Sequence, residues 1–154
     1  MTELMWVRSH VEQLLRREWG VCRVEVDRDG DIPFRHGTAA CWVSVIDGPP
    51  TMVRVLAHAA YELTPSPGLL AELNDINVRA LSASVQLIDD IVVVQQTVSP
   101  VALTGPVLAQ AVVSVAGIAD GVGGLLAAMF DGVTPHRAVD HDDTRPSRCV
   151  DEEA

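Results

Sequence analysis

Apolar residues in this chain fall into segments whose period changes in a fixed order: one helix, three strands, a helix, two strands and one long helix. Two runs of strands separated by a single helix build an antiparallel sheet with helices on one side, because a parallel sheet needs a crossover between each pair of strands. The expected fold class is α+β, a single domain with an antiparallel five-stranded sheet and flanking helices in the order α-βββ-α-ββ-α.

Leu4, Val7, Val11, Leu14 and Leu15 share one face at helical spacing over residues 2–19, and Gly20 supplies the stop. Met5, Trp6 and Trp19 give this helix more apolar surface than one buried stripe needs. From Val21 the period becomes two: Cys22, Val24 and Val26 alternate with Arg23, Glu25 and Asp27, the pattern of a strand with one wet face. A turn over Arg28–Asp31, a strand over Thr38–Ile46, a turn at Asp47-Gly48-Pro49-Pro50 and a strand over Met52–Ala60 complete a meander. Ser66 caps a second helix with Pro67 at its first position, and Leu69, Leu70, Leu73 and Ile76 carry it to about residues 78–80. Leu81–Ile88 and Ile91–Val98 form a hairpin through Asp89-Asp90. The last helix spans about Pro106 to Phe130, with Gly121-Val-Gly-Gly a point where it could break. Domain residues thus run from 1 to 131, and residues 132–154 form a polar, acidic tail that cannot bury a core and reads as disordered.

With 154 residues, 48% hydrophobic, the chain can bury one core, and two Phe, one Tyr and three Trp leave Val, Leu, Ile and Ala to fill it. A net charge of -10 argues against nucleic acid or an anionic membrane as partner. All 11 cationic residues are Arg, which suits a high-GC bacterial genome. Cys22, Cys41 and Cys149 are odd in number and widely spaced, against a disulfide framework or structural zinc, and two of them read as buried thiols. The N-terminus lacks the basic start of a signal peptide and no apolar run approaches a bilayer span, so a reducing cytoplasm is the expected location.

No grouping of residues carries catalysis. Asp27-Arg-Asp29-Gly30-Asp31 puts glycine fourth where a calcium loop needs it sixth, and Thr38 occupies the position of the closing carboxylate. His136 and His141 beside Asp140, Asp142 and Asp143 fall in the tail, where solvation accounts for them. His10, His36 and His58 are scattered and no G-x-S-x-G is present, while Gly121-Val-Gly-Gly-Leu lies within a helix, not at a strand-to-helix phosphate turn. No catalytic residue, cofactor or metal ligand is assigned.

What remains is a surface. Strands two and three are apolar on both faces, with Cys41, Val43 and Val45 against Ala40, Trp42 and Ile46, and Val53, Val55 and Ala57 against Met52 and Leu56. A sheet covered on one side by its own helices does not need the second apolar face, which therefore reads as an interface. Trp42, Met52, Arg54, Leu56 and His58 are the candidate residues for a client or a second subunit.

The run from Asp27 to Arg35 (Asp-Arg-Asp-Gly-Asp-Ile-Pro-Phe-Arg) opening the second strand, Leu73-Asn74-Asp-Ile-Asn77 in the middle helix, and the element order resemble the YbjN-like family of the type III secretion chaperone-like superfamily, over residues 3 to 131. The resemblance implies a five-stranded antiparallel sheet, a dimer, binding of peptide segments or partner proteins, and no catalysis. Asn74 and Asn77 match its helix motif, with a local role in bonding backbone where that helix meets the fourth strand. The function expected is a non-enzymatic peptide- or protein-binding chaperone or adaptor acting as a homodimer; a small-molecule-sensing domain with a pocket between the long helix and the sheet is the alternative.

Overall fold

The computed structural model describes residues 2–138. Helix α1 (Glu3–Trp19) starts at Thr2, whose hydroxyl accepts from the Met5 N–H, and stops at Gly20, which adopts φ 64° and donates its N–H to the last turn. Val7, Val11, Leu14 and Leu15 form its buried face. The segment that follows departs from the expectation. Val21–Asp27, read as the first strand, pairs with nothing in the sheet; β1 is Ile32–His36 instead, so the Asp27–Arg35 run opens the first strand and not the second.

The cause is local. The Asp27 carboxylate accepts from the N–H groups of Asp29 (2.9 Å) and Asp31 (3.0 Å), while Gly30 at φ 83° donates to the Asp27 carbonyl. An Asx turn of this kind closes the backbone on itself and ends any ladder there. Alternation of polar and apolar residues reports an extended backbone; it does not report a partner strand. Pro33 fits β1 because this is an edge strand, where a missing N–H costs little.

Strands β2 (Ala39–Ile46) and β3 (Met52–Ala60) follow as expected, with a cis Pro49-Pro50 bond in the turn between them. Ser66 caps α2 (Pro67–Arg79) through its hydroxyl to the Leu69 N–H. β4 (Ser84–Ile88) and β5 (Ile91–Val98) form the glycine-free hairpin, in which Asp89 takes φ 56°. All pairings are antiparallel, in the order β1-β2-β3-β5-β4, so β5 returns to the centre beside β3 and leaves β4 at the edge.

Helix α3 (Gly105–Met129) is continuous through Gly121-Val-Gly-Gly. It lies on β3 and β5, and Gly123 meets the Ala59 carbonyl so closely that a Cβ there would collide with it. By length and composition it could cross a membrane, which corrects the expectation that no apolar run approaches such a span; here its Leu108, Ala111, Val115 and Leu126 are core residues. Five leucines (Leu15, Leu63, Leu69, Leu108, Leu126) are the largest side chains wholly removed from solvent, and no aromatic ring joins them. Each such leucine contributes about 1.5–3 kcal/mol. Cys41 is a free, buried thiol in this core, as expected, whereas Cys22 is exposed and disulfide-bonded, which corrects the expectation against a disulfide.

Contacts continue past residue 131, where the sequence reading ended the domain. Tyr61 and Val133 exchange backbone hydrogen bonds at 2.7 and 3.0 Å, the His136 N–H donates to the Thr38 carbonyl, and Arg35 donates to the Arg137 carbonyl at 2.7 Å. The tail from 139 onward, with its expected disorder, lies outside the described residues.

Candidate functional site

Strand pleating and the observed register sort the sheet residues into two faces. One face consists of rows such as Phe34–Cys41–Ala57–Val94–Val85, and these residues join the core beneath α1 and α3. On the other face a single row crosses all five strands: Pro33, Trp42, Leu56, Gln95, Ser84. The next row is Arg35, Ala40, His58, Val93, Gln86; Ser44, Arg54 and Thr97 lie on the other side of the first, and Ile46 pairs with Met52 beyond them.

All five candidate residues, Trp42, Met52, Arg54, Leu56 and His58, therefore share this outer face in consecutive rows. Each is partly exposed, and Trp42, Met52 and Leu56 belong neither to the buried core nor to the apolar residues packed around it. In β3 the inner positions Val53, Val55 and Ala57 are completely buried while the outer ones keep solvent contact. The outer face is thus apolar at its centre and uncovered by any helix among the described residues.

Its charged and titratable groups are Arg35, Arg54, His58 and the neighbouring Tyr61. The Trp42 and His58 rings lie 4.7 Å apart, and Tyr61 sits edge-on to His58 at 5.5 Å. The His58 Nδ1 is 3.0 Å from the Tyr61 hydroxyl. Burial raises the Tyr61 phenol and lowers the His58 imidazole from their usual pKa values, so at neutral pH an uncharged ring and an uncharged hydroxyl share this hydrogen bond. Arg54 holds its Nε out of solvent with no hydrogen-bond partner among the described residues. No Asp or Glu stands in these rows, although the chain carries a net charge of -10.

Sequence reasoning missed Arg35, Gln95, Thr97 and Tyr61 on this surface. Gln95 and Thr97 were available from the alternation in β5; Arg35 was hidden by the misplaced first strand. The pocket expected between the long helix and the sheet finds no room where Gly123 meets Ala59. A groove of about 890 Å³ lies elsewhere, between α1 and the extended segment, lined by Glu12, Arg16, Arg23, Val24, Glu25, Val26, Asp27 and Pro33. Among the described residues no three His, Cys, Asp or Glu side chains converge as metal ligands.

The model of the T3SS (YopN, CesT) and YbjN peptide-binding chaperone 1 family, TY-Chap1, matches residues 5–138. The chain belongs to this family. Solved structures agree on the fold of this TY-Chap1 chain. The ExsC–ExsE complex superposes with a TM-score of 0.63 at 13% identity, covering 82% of this chain and 97% of that one. The Yersinia pestis type III secretion chaperone SycH, in complex with a fragment of YscM2, gives 0.56 at 18%, covering 73% and 96%. YbjN from E. coli, described as a putative transcription regulator, gives 0.54 at 21%, covering 77% and 92%. No curated protein matches the chain in sequence.

As a TY-Chap1 member the chain has the five-stranded antiparallel sheet and helix order that the resemblance implied. The local role given to Asn77 is also present: its side chain bonds the backbone of β4.

Proposed function

We propose that this TY-Chap1 protein acts as a non-enzymatic, homodimeric chaperone or adaptor in the cytoplasm, and that it holds an apolar segment of a client protein across the outer sheet face. The observation that carries this reading is the row Pro33–Trp42–Leu56–Gln95–Ser84, which spans the whole sheet and leaves a tryptophan and a leucine at its centre outside the core. Monomeric proteins seldom leave such a continuous apolar surface without a use for it. An amphipathic or extended client would set apolar side chains against Trp42, Met52 and Leu56 and carboxylates against Arg54.

The second subunit has a separate surface available. Leu70 and Val78 lie two turns apart on the outward side of α2 at 53% and 77% exposure, and Leu81 follows fully exposed. An antiparallel pairing of two α2 helices sets Leu70 of one copy against Val78 of the other, the self-complementary arrangement a two-fold interface requires.

The test is affinity capture of host proteins by wild type, Trp42→Asp and Leu56→Asp, with light scattering on the eluted protein. The reading expects a client recovered by wild type and lost from both variants, with a dimer mass in all three. Equal recovery by the three proteins removes the outer face as the client surface.

A further inference from the structure

We propose that the solvent side of α3 docks on the same side of α3 in a second copy of this chain, antiparallel across a two-fold axis level with Ala119. This contact is separate from the α2 surface and from the outer sheet face, and rests on neither.

α3 is the most apolar helix of the described chain, yet only 33% of its most apolar 18-residue window is buried. The side away from the sheet carries Gln110, Val113, Gly117, Gly121, Leu125 and Ala128, which fall on one face at helical spacing. All six are exposed, Val113 at 71% and Leu125 at 61%. Asp120, the one charged residue of the helix, accepts from the N–H and the hydroxyl of Thr38. The exposed face is therefore apolar and free of charge.

Charge and symmetry name the occupant. α1 and α2 expose Arg16, Arg17, Asp75 and Arg79, and pressing such groups on an uncharged face strips their water without supplying a partner. Lipid is a poor match as well, because a helix lying on a bilayer flanks its apolar side with Lys or Arg; α3 has neither, and the chain carries a net charge of -10. A second α3 matches. Val113 and Leu125 each stand six residues from Ala119, Gly117 and Gly121 two, and Gln110 and Ala128 nine. An antiparallel two-fold thus sets Val113 against Leu125, Gly117 against Gly121 and Gln110 against Ala128 of the other copy, each pair twice.

Shape agrees with this pairing. No atom lies within 4 Å of where a Cβ would stand on Gly117 or Gly121, so the space over both is open and two backbones can approach closely there. Crossed helices diverge away from their crossing point, and the larger Val113 and Leu125 fill the widening gap on either side. The strip from Gln110 to Ala128 is roughly 27 Å long and ~10 Å wide. Two such strips bury less than ~1,200 Å², the size of weak and reversible interfaces. The contact therefore forms at high protein concentration and parts on dilution.

The full chain bearing Val113→benzoylphenylalanine, mixed with isotope-labelled copies and irradiated over a dilution series, provides the test. An interchain crosslink to the peptide around Leu125 is expected, with a yield that falls on dilution. It should fall several-fold in the Gly121→Glu background, where bulk and like charge meet at the crossing point, and equally in Gly117→Glu should the first variant fold poorly. Both side chains enter open space, so thermal unfolding of the dilute variants should show a folded protein. The crosslink should persist in Leu70→Glu/Val78→Glu, which removes the α2 surface. An intrachain product alone, an interchain product at residue 113 itself as parallel helices would give, loss in the α2 variant, or a yield indifferent to dilution or to the glycine variants overturns the proposal. Flotation of wild type with phosphatidylcholine vesicles that Gly121→Glu abolishes would assign the face to lipid and overturn it too.

Discussion

The side-chain amide of Asn77 exchanges a pair of hydrogen bonds with the main chain of Val85, Nδ2 donating to the carbonyl at 2.8 Å and Oδ1 accepting from the N–H at 2.7 Å. β4 is an edge strand, and Val85 pairs on its other side with Val94. Asn77 thus does for the outward side of Val85 what a further strand would do, closing a stretch of edge that could otherwise recruit another chain. Val85 is 2% exposed, so water cannot replace the lost partner.

Asn77→Ala should therefore cost about 2–3 kcal/mol, the penalty for leaving buried backbone groups unpaired. Asn77→Asp should fare no better, since a carboxylate keeps the acceptor but faces the Val85 carbonyl with no donor. Urea unfolding gives the loss, and hydrogen exchange at the Val85 amide shows whether it is local. Wild-type stability in both variants would mean that the pair contributes nothing.

Glycines 121 and 123 are near neighbours in α3 with opposite surroundings. A Cβ on Gly123 collides with the Ala59 carbonyl, whereas one on Gly121 meets nothing within 4 Å. Gly123→Ala should destabilise by about 1–3 kcal/mol through overpacking. Gly121→Ala should stabilise by up to about 1 kcal/mol by removing the helix-propensity penalty of glycine. Thermal unfolding of the two variants should move in opposite directions; movement in the same direction would show that α3 does not sit on β3 in this register.

These contrasts mark what a sequence can carry. Ser66-Pro67 and Gly20 act within a turn of their own positions, so the helix ends were legible, as was the Asp89-Asp90 hairpin. The outer-face residues Trp42, Met52, Arg54, Leu56 and His58 were legible because alternation in β2 and β3 survives into the sheet. The pairing of β5 with β3 was not, for it depends on contacts remote in sequence. Arg35 and Tyr61 were lost for the same reason: one needed the true position of β1, the other the return of Val133.

Cys41 lies on the inner face at the centre of the β1–β2–β3 rows and is 1% exposed. Burial above all pushes its thiol up to about 12, against the opposing pull of a backbone hydrogen bond from His36 and with the charge of Asp120 adding to the rise. Thiolate is the reactive form, so the folded protein should leave Cys41 unmodified by iodoacetamide at pH 8 and expose it only on unfolding. Peptide mapping after alkylation in buffer and in denaturant reads this residue separately from the other cysteines. Rapid labelling of Cys41 in buffer would show that the sheet opens under native conditions.

His58 should make stability depend on pH in a defined direction. Burial lowers its pKa below the usual 6.5, so the unfolded chain takes up this proton before the folded one as pH falls. Its contribution is complete above about 6.5, and is lost as pH falls from there to the depressed folded value. His136 is lowered too, by burial and then by the charge of Arg35, so wild type carries both effects. Subtracting the profile of His58→Gln isolates one: the difference in unfolding midpoint should grow against wild type between pH 7 and about 5, and a flat difference would refute the assignment. A carboxylate arriving on the outer face reverses the sign, because it favours the protonated imidazole. Binding of an acidic segment near pH 6.5 should then take up a proton, and calorimetry in buffers of different ionisation enthalpy measures that uptake directly. Zero uptake would place the carboxylates away from His58, on the Arg54 side of the face.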